Sequence, residues 1–374
     1  MNPHVQLNSA HNDEMLMFTL SGVNVSLANA IRRTILSDIP LIVFRTTPYE
    51  QNKANIISNT SRLNNEILKQ RLSCIPIHIK DVEGFPLKNY QLEVNVENIT
   101  DTTMYVTTKD FVIKDLVTGK PISETKNREI FPANDYTGYF IDFVRLRPKI
   151  SDELPGEKIH LTCDFSVGNA KEDGMFNAVS TCAYGFTIDT VAQEAILEKY
   201  KQTWKDEGKT KEEIEFESKN WRLLDGLRVT KKDSFDFTIQ SISAYDNVEL
   251  VHKACDILID KLQYQDTLLE KDELEIEKSQ NTMSNSFDII LQNEDYTIGK
   301  TLEYFMYTKF YETKILTFCG FKKMHPHDTY SIIRVAYKDA VDKSIIKGHL
   351  KECIDESIQV FSKVKKEFLK LVKN

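Results

Sequence analysis

The sequence has little of what marks a catalytic, secreted or membrane-bound chain. Its six cysteines, Cys74, Cys163, Cys182, Cys255, Cys319 and Cys353, are scattered over 374 residues with no Cys-x-x-Cys pair. That spacing excludes a local zinc or iron-sulfur site and a disulfide scaffold, and the thiols are expected to be reduced core residues. No apolar run approaches the roughly 20 residues needed to cross a bilayer. The N-terminus also lacks the basic and apolar pattern of a signal peptide, so the chain is expected to be intracellular. There is no Gly-rich phosphate loop, no GxSxG elbow and no carboxylate cluster. Positive charge is not in excess either: 48 Lys and Arg stand against 56 Asp and Glu, a net charge of −8. A protein whose main task is to hold nucleic acid through its phosphates carries the opposite balance, so any nucleic acid nearby is expected to be held by a partner. What remains is an ordinary globular composition, 41% hydrophobic and 28% charged, long enough for two or three domains.

The most informative stretch is Ser21 to Pro40, SGVNVSLANAIRRTILSDIP. It reads as one amphipathic helix with Ser26, or alternatively Asn24, as its N-cap, and Pro40 closing it. At about 100° per residue, Leu27, Ala28, Ile31, Ile35 and Ile39 share one face, the stripe of a helix lying on a sheet. Asn29, Arg33 and Leu36 point the other way, with Arg32 on the border.

A second copy of the pattern lies near the C-terminus. An offset of 271 residues pairs Asn24 with Asp295, Ser26 with Thr297, Leu27 with Ile298, Ile31 with Leu302 and Ile35 with Met306. The same offset carries the alternating strand residues Leu16, Phe18 and Leu20 onto Phe287, Ile289 and Leu291. A strand-to-helix unit used twice predicts two halves that pack on each other through their apolar faces.

Between the copies, Leu41 to Thr46 reads as a short apolar strand. Leu63 to Arg71 reads as a helix, and Ile75 to Ile79 as an edge strand because it contains Pro76. Gln91–Val96, Met104–Thr108 and Phe140–Leu146 alternate, which predicts a β-rich insert ending near Ala183. Thr187 to Lys219 is a charged helical stretch expected to be solvated. Phe235–Ile242 is a strand followed by a helix to about Glu270. The acidic and polar run up to Ser286 is expected to be a linker. The second copy then supplies strand, helix, two strands and a long helix from about Val341 to Val372.

Several motifs point to a family. LANAIRRTILSDIP, NTSRLNNEILKQRLSCIPIHI, YVTTKDFVI, RLRPK and GMFNAVSTCAYGF resemble the alpha-like subunit of multisubunit DNA-dependent RNA polymerases, of the third-subunit type of polymerase II and archaeal D. FDIILQNEDYTIGKTLEYFM and FCGFKKMHPHDTYSIIRV resemble its small partner, the eleventh-subunit type or archaeal L. Together they cover nearly the whole chain, so one polypeptide resembles a fusion of two subunits, the arrangement of large cytoplasmic DNA viruses. The resemblance implies an α+β fold: two sheet-plus-two-helix halves pair within the chain as a pseudo-heterodimer, with a β-rich domain inserted in the first half. It implies a dimerisation module of residues 1–47 and 184–270, an insert of 48–183, a linker of 271–284 and a second module of 285–374.

The implied function is assembly. By resemblance the chain is a non-catalytic platform on which the second-largest and then the largest polymerase subunit dock, with small subunits as further partners. DNA would be met only through the complex, with no cofactor, metal or membrane. The implied docking residues are Asn29, Arg32, Arg33 and Leu36, since guanidinium groups suit flat bidentate contacts to a partner. The implied dimerisation core is Leu27, Ile31, Ile35, Ile298, Leu302, Phe305 and Met306. A viral source would place the chain in the host cytoplasm and virion, and a cellular one in the nucleus.

Two rivals deserve weight. His325, His327 and Asp328 could supply ligands to a metal-dependent hydrolase, although a turn between two strands explains them as well. Lys363, Lys365, Lys366, Lys370 and Lys373 could form a nucleic-acid surface, although cations near a helix C-terminus are favoured by the helix dipole alone. Cys74, beside Pro76, has no base nearby in sequence and is expected to pack in the insert.

Overall fold

The computed structural model describes residues 1–8, 14–151, 153–280 and 283–372. In chain order, β1 (His4–Leu7) and β2 (Leu16–Ser21) lead into α1 (Val25–Ser37) and β3 (Leu41–Val43). Then come β4 (Ala54–Asn59), α2 (Asn65–Ser73), β5 (Tyr90–Glu97), β6 (Met104–Thr107) and β7 (Val112–Asp115). Next are α3 (Glu124–Ile130), β8 (Asp142–Leu146), β9 (Lys158–Asp164) and β10 (Ser166–Gly168). β11 (Val179–Ile188), α4 (Thr190–Asp206), α5 (Lys211–Leu223), β12 (Thr230–Ser241) and α6 (Asn247–Glu270) follow. The C-terminal part holds β13 (Ile276–Lys278), β14 (Ser286–Gln292), α7 (Tyr296–Met306), β15 (Leu316–Lys322), β16 (Tyr330–Tyr337) and α8 (Lys343–Val372). These elements form two compact units, one of Met1–Ile35, Thr181–Gln240 and Asn247–Asn374, the other of Leu36–Ser180 and Ser241–Asp246.

The first unit contains two four-stranded sheets with matching order, β1-β2-β12-β11 and β13-β14-β16-β15. In each, a helix follows the second strand (α1, α7) and a longer helix follows the third (α6, α8). The registers match as well. Leu16, Phe18 and Leu20 lie opposite Ile239, Phe237 and Phe235. Phe287, Ile289 and Leu291 lie opposite Val335, Ile333 and Ser331. The 271-residue offset of β2 and α1 is therefore joined by an offset of 96 that carries β12 onto β16 and the start of α6 at Asn247 onto the start of α8 at Lys343. Leu250, Ala254 and Leu258 become Ile346, Leu350 and Ile354, and all six are buried.

Alternation places one face of each sheet inward. β2 buries Leu16, Phe18 and Leu20 and leaves Met17, Thr19 and Ser21 half-covered. Phe18 stacks on Phe237 with centroids 5.0 Å apart and meets Phe368 of α8 edge-on at 4.8 Å. An aromatic from the first sheet thus packs directly on a helix from the C-terminal half. α8 also lies along α6 and α7. Lys365 reaches Asp256, Lys351 reaches Asp266 and Lys347 reaches Asp272, a descending series against an ascending one, so α6 and α8 run antiparallel.

The copies differ in what joins their strands. β15 and β16 are connected by residues 323–329, whereas β11 and β12 are connected by the helical hairpin α4–α5. Thr210 closes a capping box with Glu213 at the start of α5, and Tyr200, Trp204 and Trp221 pack together inside the hairpin. The charged stretch from Thr187 is thus a defined element. The expected linker is likewise partly structured, because Ile276–Lys278 pairs with β14 as an edge strand.

The second unit holds the sheet β4-β9-β5-β7 and the ribbons β6-β8 and β3-β10. Its core includes Phe44, Phe111, Phe131, Phe143, Leu92 and Leu161. This unit begins at Leu36: β3 pairs with β10 and Phe44 packs against Phe131 and Phe165. Ile75–Ile79 is no strand. Pro76 has no N–H to donate, and the segment is held instead by the His78 N–H donating to the Ile130 carbonyl, with Ile75 and Ile77 still buried.

Candidate assembly interface

The two repeated helices begin with the same geometry. The Ser26 N–H donates to Asn24 Oδ1 at 2.9 Å, and the Thr297 N–H donates to Asp295 Oδ1 at 2.9 Å. The Asn24 carbonyl accepts from Ala28, as the Asp295 carbonyl accepts from Gly299. Asn24 is therefore the cap and Ser26 lies inside the first turn, a correction to the first-named alternative. Each cap satisfies N–H groups that helix geometry leaves without an internal partner.

All seven residues expected in the dimerisation core, Leu27, Ile31, Ile35, Ile298, Leu302, Phe305 and Met306, are buried. The expected docking residues are placed less uniformly. Arg33 does not stand free on the outward face. Its Nη2 donates to Asp295 Oδ2 at 3.0 Å and its Nε to Thr297 Oγ1 at 3.0 Å, so it grips the cap of α7. Helical phase could show only that Arg33 lies opposite the core stripe of its own helix, and the partner helix stands on that side. Arg32 Nε donates to Asn29 Oδ1 at 2.9 Å, which orients both side chains. Leu36, where the second unit begins, is half-buried.

Beside this grip runs a groove of about 430 Å³ with one wall from α1 and the other from α7. Val25, Ser26 and Asn29 face Lys300, Glu303, Tyr304 and Tyr307, and Tyr184 of β11 closes one side. Asn29 and Lys300 are equivalent under the 271-residue offset, so the helices meet about a local pseudo-twofold. The relation also identifies Glu303, Tyr304 and Tyr307 as equivalents of Arg32, Arg33 and Leu36. The sequence contained that signal, but not the fact that Asn29 shares one groove with Glu303, Tyr304 and Tyr307, whose counterparts Arg32, Arg33 and Leu36 do not line it.

Burial raises the hydroxyl pKa of both Tyr184 and Tyr304. Arg32 opposes the shift at Tyr184, while Asp233, Glu312 and Glu356 add to it at Tyr304. Both stay neutral near pH 7 and can donate and accept hydrogen bonds. Burial pushes the Cys182 thiol up to about 12, with Arg32 opposing, which keeps it protonated. Glu303 is held by Lys300 and by the Phe321 N–H. A tyrosine-rich groove with fixed polar groups is suited to recognising a protein surface.

The rival residues are occupied otherwise. Asp328 Oδ2 accepts from the His325 N–H, and His325 Nδ1 accepts from the His327 N–H, so the three build the turn before β16. Among the described residues no group of three His, Cys, Asp or Glu is placed to hold a metal. Lys365 pairs with Asp256, Lys370 with Glu367, and Lys363 donates to the Met1 carbonyl. Lys373 lies outside the described residues. Cys74 is exposed, since it caps the C-terminus of α2 where the chain leaves its core-facing helix.

Several known proteins have similar sequences. A DNA-directed RNA polymerases I and III subunit (rpac1) of Dictyostelium discoideum is 31% identical over 178 residues, 45% of this chain and 48% of the relative. A DNA-directed RNA polymerases IV and V subunit 3B of Arabidopsis thaliana is 24% identical over 310 residues, 70% and 91% of the two chains. The RNA polymerase subunit Rpo3 of Pyrococcus furiosus is 30% identical over 89 residues, 23% and 31%. The chain thus spans about half the length of the first relative and nearly all of the second. These relatives favour a polymerase subunit over a hydrolase or a nucleic-acid-binding module. The family described as the RNA polymerase Rpb3/Rpb11 dimerisation domain matches residues 17–262, and the chain belongs to that family.

Proposed function

We propose that the chain is a non-catalytic assembly platform of a multisubunit DNA-dependent RNA polymerase. Its two sheet-and-helix halves act as a built-in heterodimer, and residues 36–180 form a domain inserted in the first. The C-terminal half takes the place of the small eleventh-subunit-type partner, so one chain does the work of two. In a large cytoplasmic DNA virus this complex would work in the host cytoplasm.

The observation that carries the reading is the groove at the pseudo-twofold, because both halves contribute to it and neither is complete alone. In this reading Asn29 and Arg32 from α1, with Lys300 and Tyr304 from α7 and Tyr307 from the turn after it, receive a large catalytic subunit, and Leu36 extends the contact along α1. Arg33 acts indirectly by fixing α1 to the cap of α7. The wall of Val25, Ser26 and Asn29 differs chemically from the wall of Lys300, Glu303 and Tyr304, which gives two large subunits distinct ends to recognise.

The test is affinity purification of the tagged chain from its native source, with mass spectrometry and an RNA-synthesis assay of the eluate. Two very large chains and RNA synthesis absent from the isolated protein are expected. Recovery of the chain alone would overturn the proposal. Arg32→Glu should reduce recovery of the large chains about ten-fold, equivalent to roughly 1.4 kcal/mol, with unchanged thermal stability.

A further inference from the structure

The second unit carries a cleft of about 650 Å³, within the size range of ligand-binding sites. Its floor is apolar, lined by Ile79, Phe85, Tyr90, Ile113, Ile122 and Ile130. Ile113 belongs to the buried core of the unit, and the other five pack against that core while staying partly exposed. Phe85 and Tyr90 stack with centroids 5.3 Å apart, which adds a flat aromatic surface.

The segment from His78 to Asp81 lines the cleft and has no strand partner. The His78 N–H donates to the Ile130 carbonyl, and the Ile79 N–H donates back to the Ile77 carbonyl. The carbonyls of His78 and Ile79 themselves accept no hydrogen bond among the described residues. The rim is acidic. Asp81, Asp115 and Glu129 stand there with Lys80 and Lys126, and Lys80 is already paired with Asp246. Asp81 and Asp115 are fixed by backbone N–H groups of the turns they cap, at Gly84 and at Val117. Burial lowers the pKa of His78, opposed by nearby Asp135, so the ring is neutral near pH 7. Carboxylates therefore outnumber cations around an apolar floor with open backbone acceptors.

We propose that this cleft docks an extended segment of a partner chain that carries apolar side chains at alternate positions between lysines or arginines. The apolar side chains fill the floor, the N–H groups of the segment donate to the open carbonyls of His78 and Ile79, and its cations face the rim carboxylates. A compact apolar molecule would leave the carbonyls unmet, and an acidic segment would be repelled. The cleft shares no residue with the α1–α7 groove, so this goes beyond the docking of the large subunits.

The test uses the full chain and fluorescein-labelled peptides read by fluorescence anisotropy. The probes are KRLVLRK, its charge-reversed form EDLVLDE, and KRLVLRK with N-methylated backbone nitrogens at its three apolar residues. KRLVLRK is expected to bind, more weakly as salt is raised. The charge-reversed and N-methylated peptides should each bind about ten-fold more weakly. A net charge of −8 attracts any cationic peptide, so variants of the cleft itself complete the test. Ile122→Lys should reduce affinity for KRLVLRK about ten-fold, and Glu129→Lys about three-fold. Glu129 is exposed and enters no ion pair among the described residues, so Glu129→Lys should unfold at the parent temperature and decides if Ile122→Lys does not fold. The proposal is overturned if KRLVLRK does not bind, or binds no better than EDLVLDE. It is equally overturned if N-methylation and the cleft substitutions leave the affinity unchanged. No large subunit is present in this assay, so failure here leaves the assembly reading standing, and loss of the large chains leaves the cleft standing.

Discussion

The two sheet-and-helix halves share strand order, register and helix caps, yet they differ sharply in what hangs from them. Between α1 and β11 the first half carries most of the second unit, and between β11 and β12 it carries the α4–α5 hairpin. At the same points the second half has only residues 307–315, including a π-helical turn at Tyr307–Tyr311, and the turn of 323–329. Additions are thus confined to connections on one half, while the elements that form the seam are kept in both. The difference teaches that pairing constrains the frame and leaves the loops free to grow.

The largest effects should come from equivalent core positions. Ile31→Ala and Leu302→Ala each remove a fully buried side chain, and each is expected to cost about 2–5 kcal/mol in denaturant unfolding. A similar cost at both sites sharpens the equivalence of the halves, and a large cost at only one would break it. Gly299, the counterpart of Ala28, should separate them. A Cβ there would lie 1.9 Å from Phe321 Cε2, so Gly299→Ala is expected to destabilise by about 1–3 kcal/mol despite alanine's better helix propensity. No loss of stability would mean that the Phe321 ring can yield.

A smaller effect of opposite sign is expected at Gln265, buried on α6 with neither amide atom hydrogen-bonded among the described residues. Gln265→Leu should stabilise by about 1 kcal/mol, since it removes an unsatisfied buried polar group. Its equivalent, Phe361, is already apolar. Unchanged or reduced stability would show that the amide has an ordered partner.

The smallest effect concerns pH. His349 lies between Phe310, whose ring is stacked on it at 4.0 Å, and the Tyr337 hydroxyl at 3.0 Å. Burial holds its pKa below the usual value, with Glu352 opposing. The unfolded chain therefore takes up this proton first as the pH falls through about 6.5, and stability declines from there until the folded pKa is passed. The midpoint temperature should fall between pH 7.5 and 5.5, and His349→Gln should flatten part of that slope. An unaltered slope would assign it to His78 and His252, whose pKa values burial also lowers.

Much of the frame was legible because period and caps are local properties. The stripe Leu27, Ile31, Ile35 and its copy Ile298, Leu302, Met306 identified both short helices and their buried faces. The choice between Asn24 and Ser26 as cap was not legible, because either side chain can accept from the first turn and only the backbone path decides. Ile75 and Ile77 alternate like a strand but bury their side chains without one, as periodicity reports burial and not hydrogen bonding. The partners of Arg33 were not legible for a different reason: phase on one helix does not reveal which second helix covers its far side.

The sequence by itself determined the elements, their repeat and their apolar faces, since these follow from neighbours within a few residues. Only the tertiary structure decided that Asn29 and Lys300 share one groove, that Arg33 is committed to Asp295, and that Asp256 and Asp266 meet Lys365 and Lys351. Those contacts join residues roughly 85 to 270 positions apart, and their geometry depends on the packing of whole helices and not on any local preference.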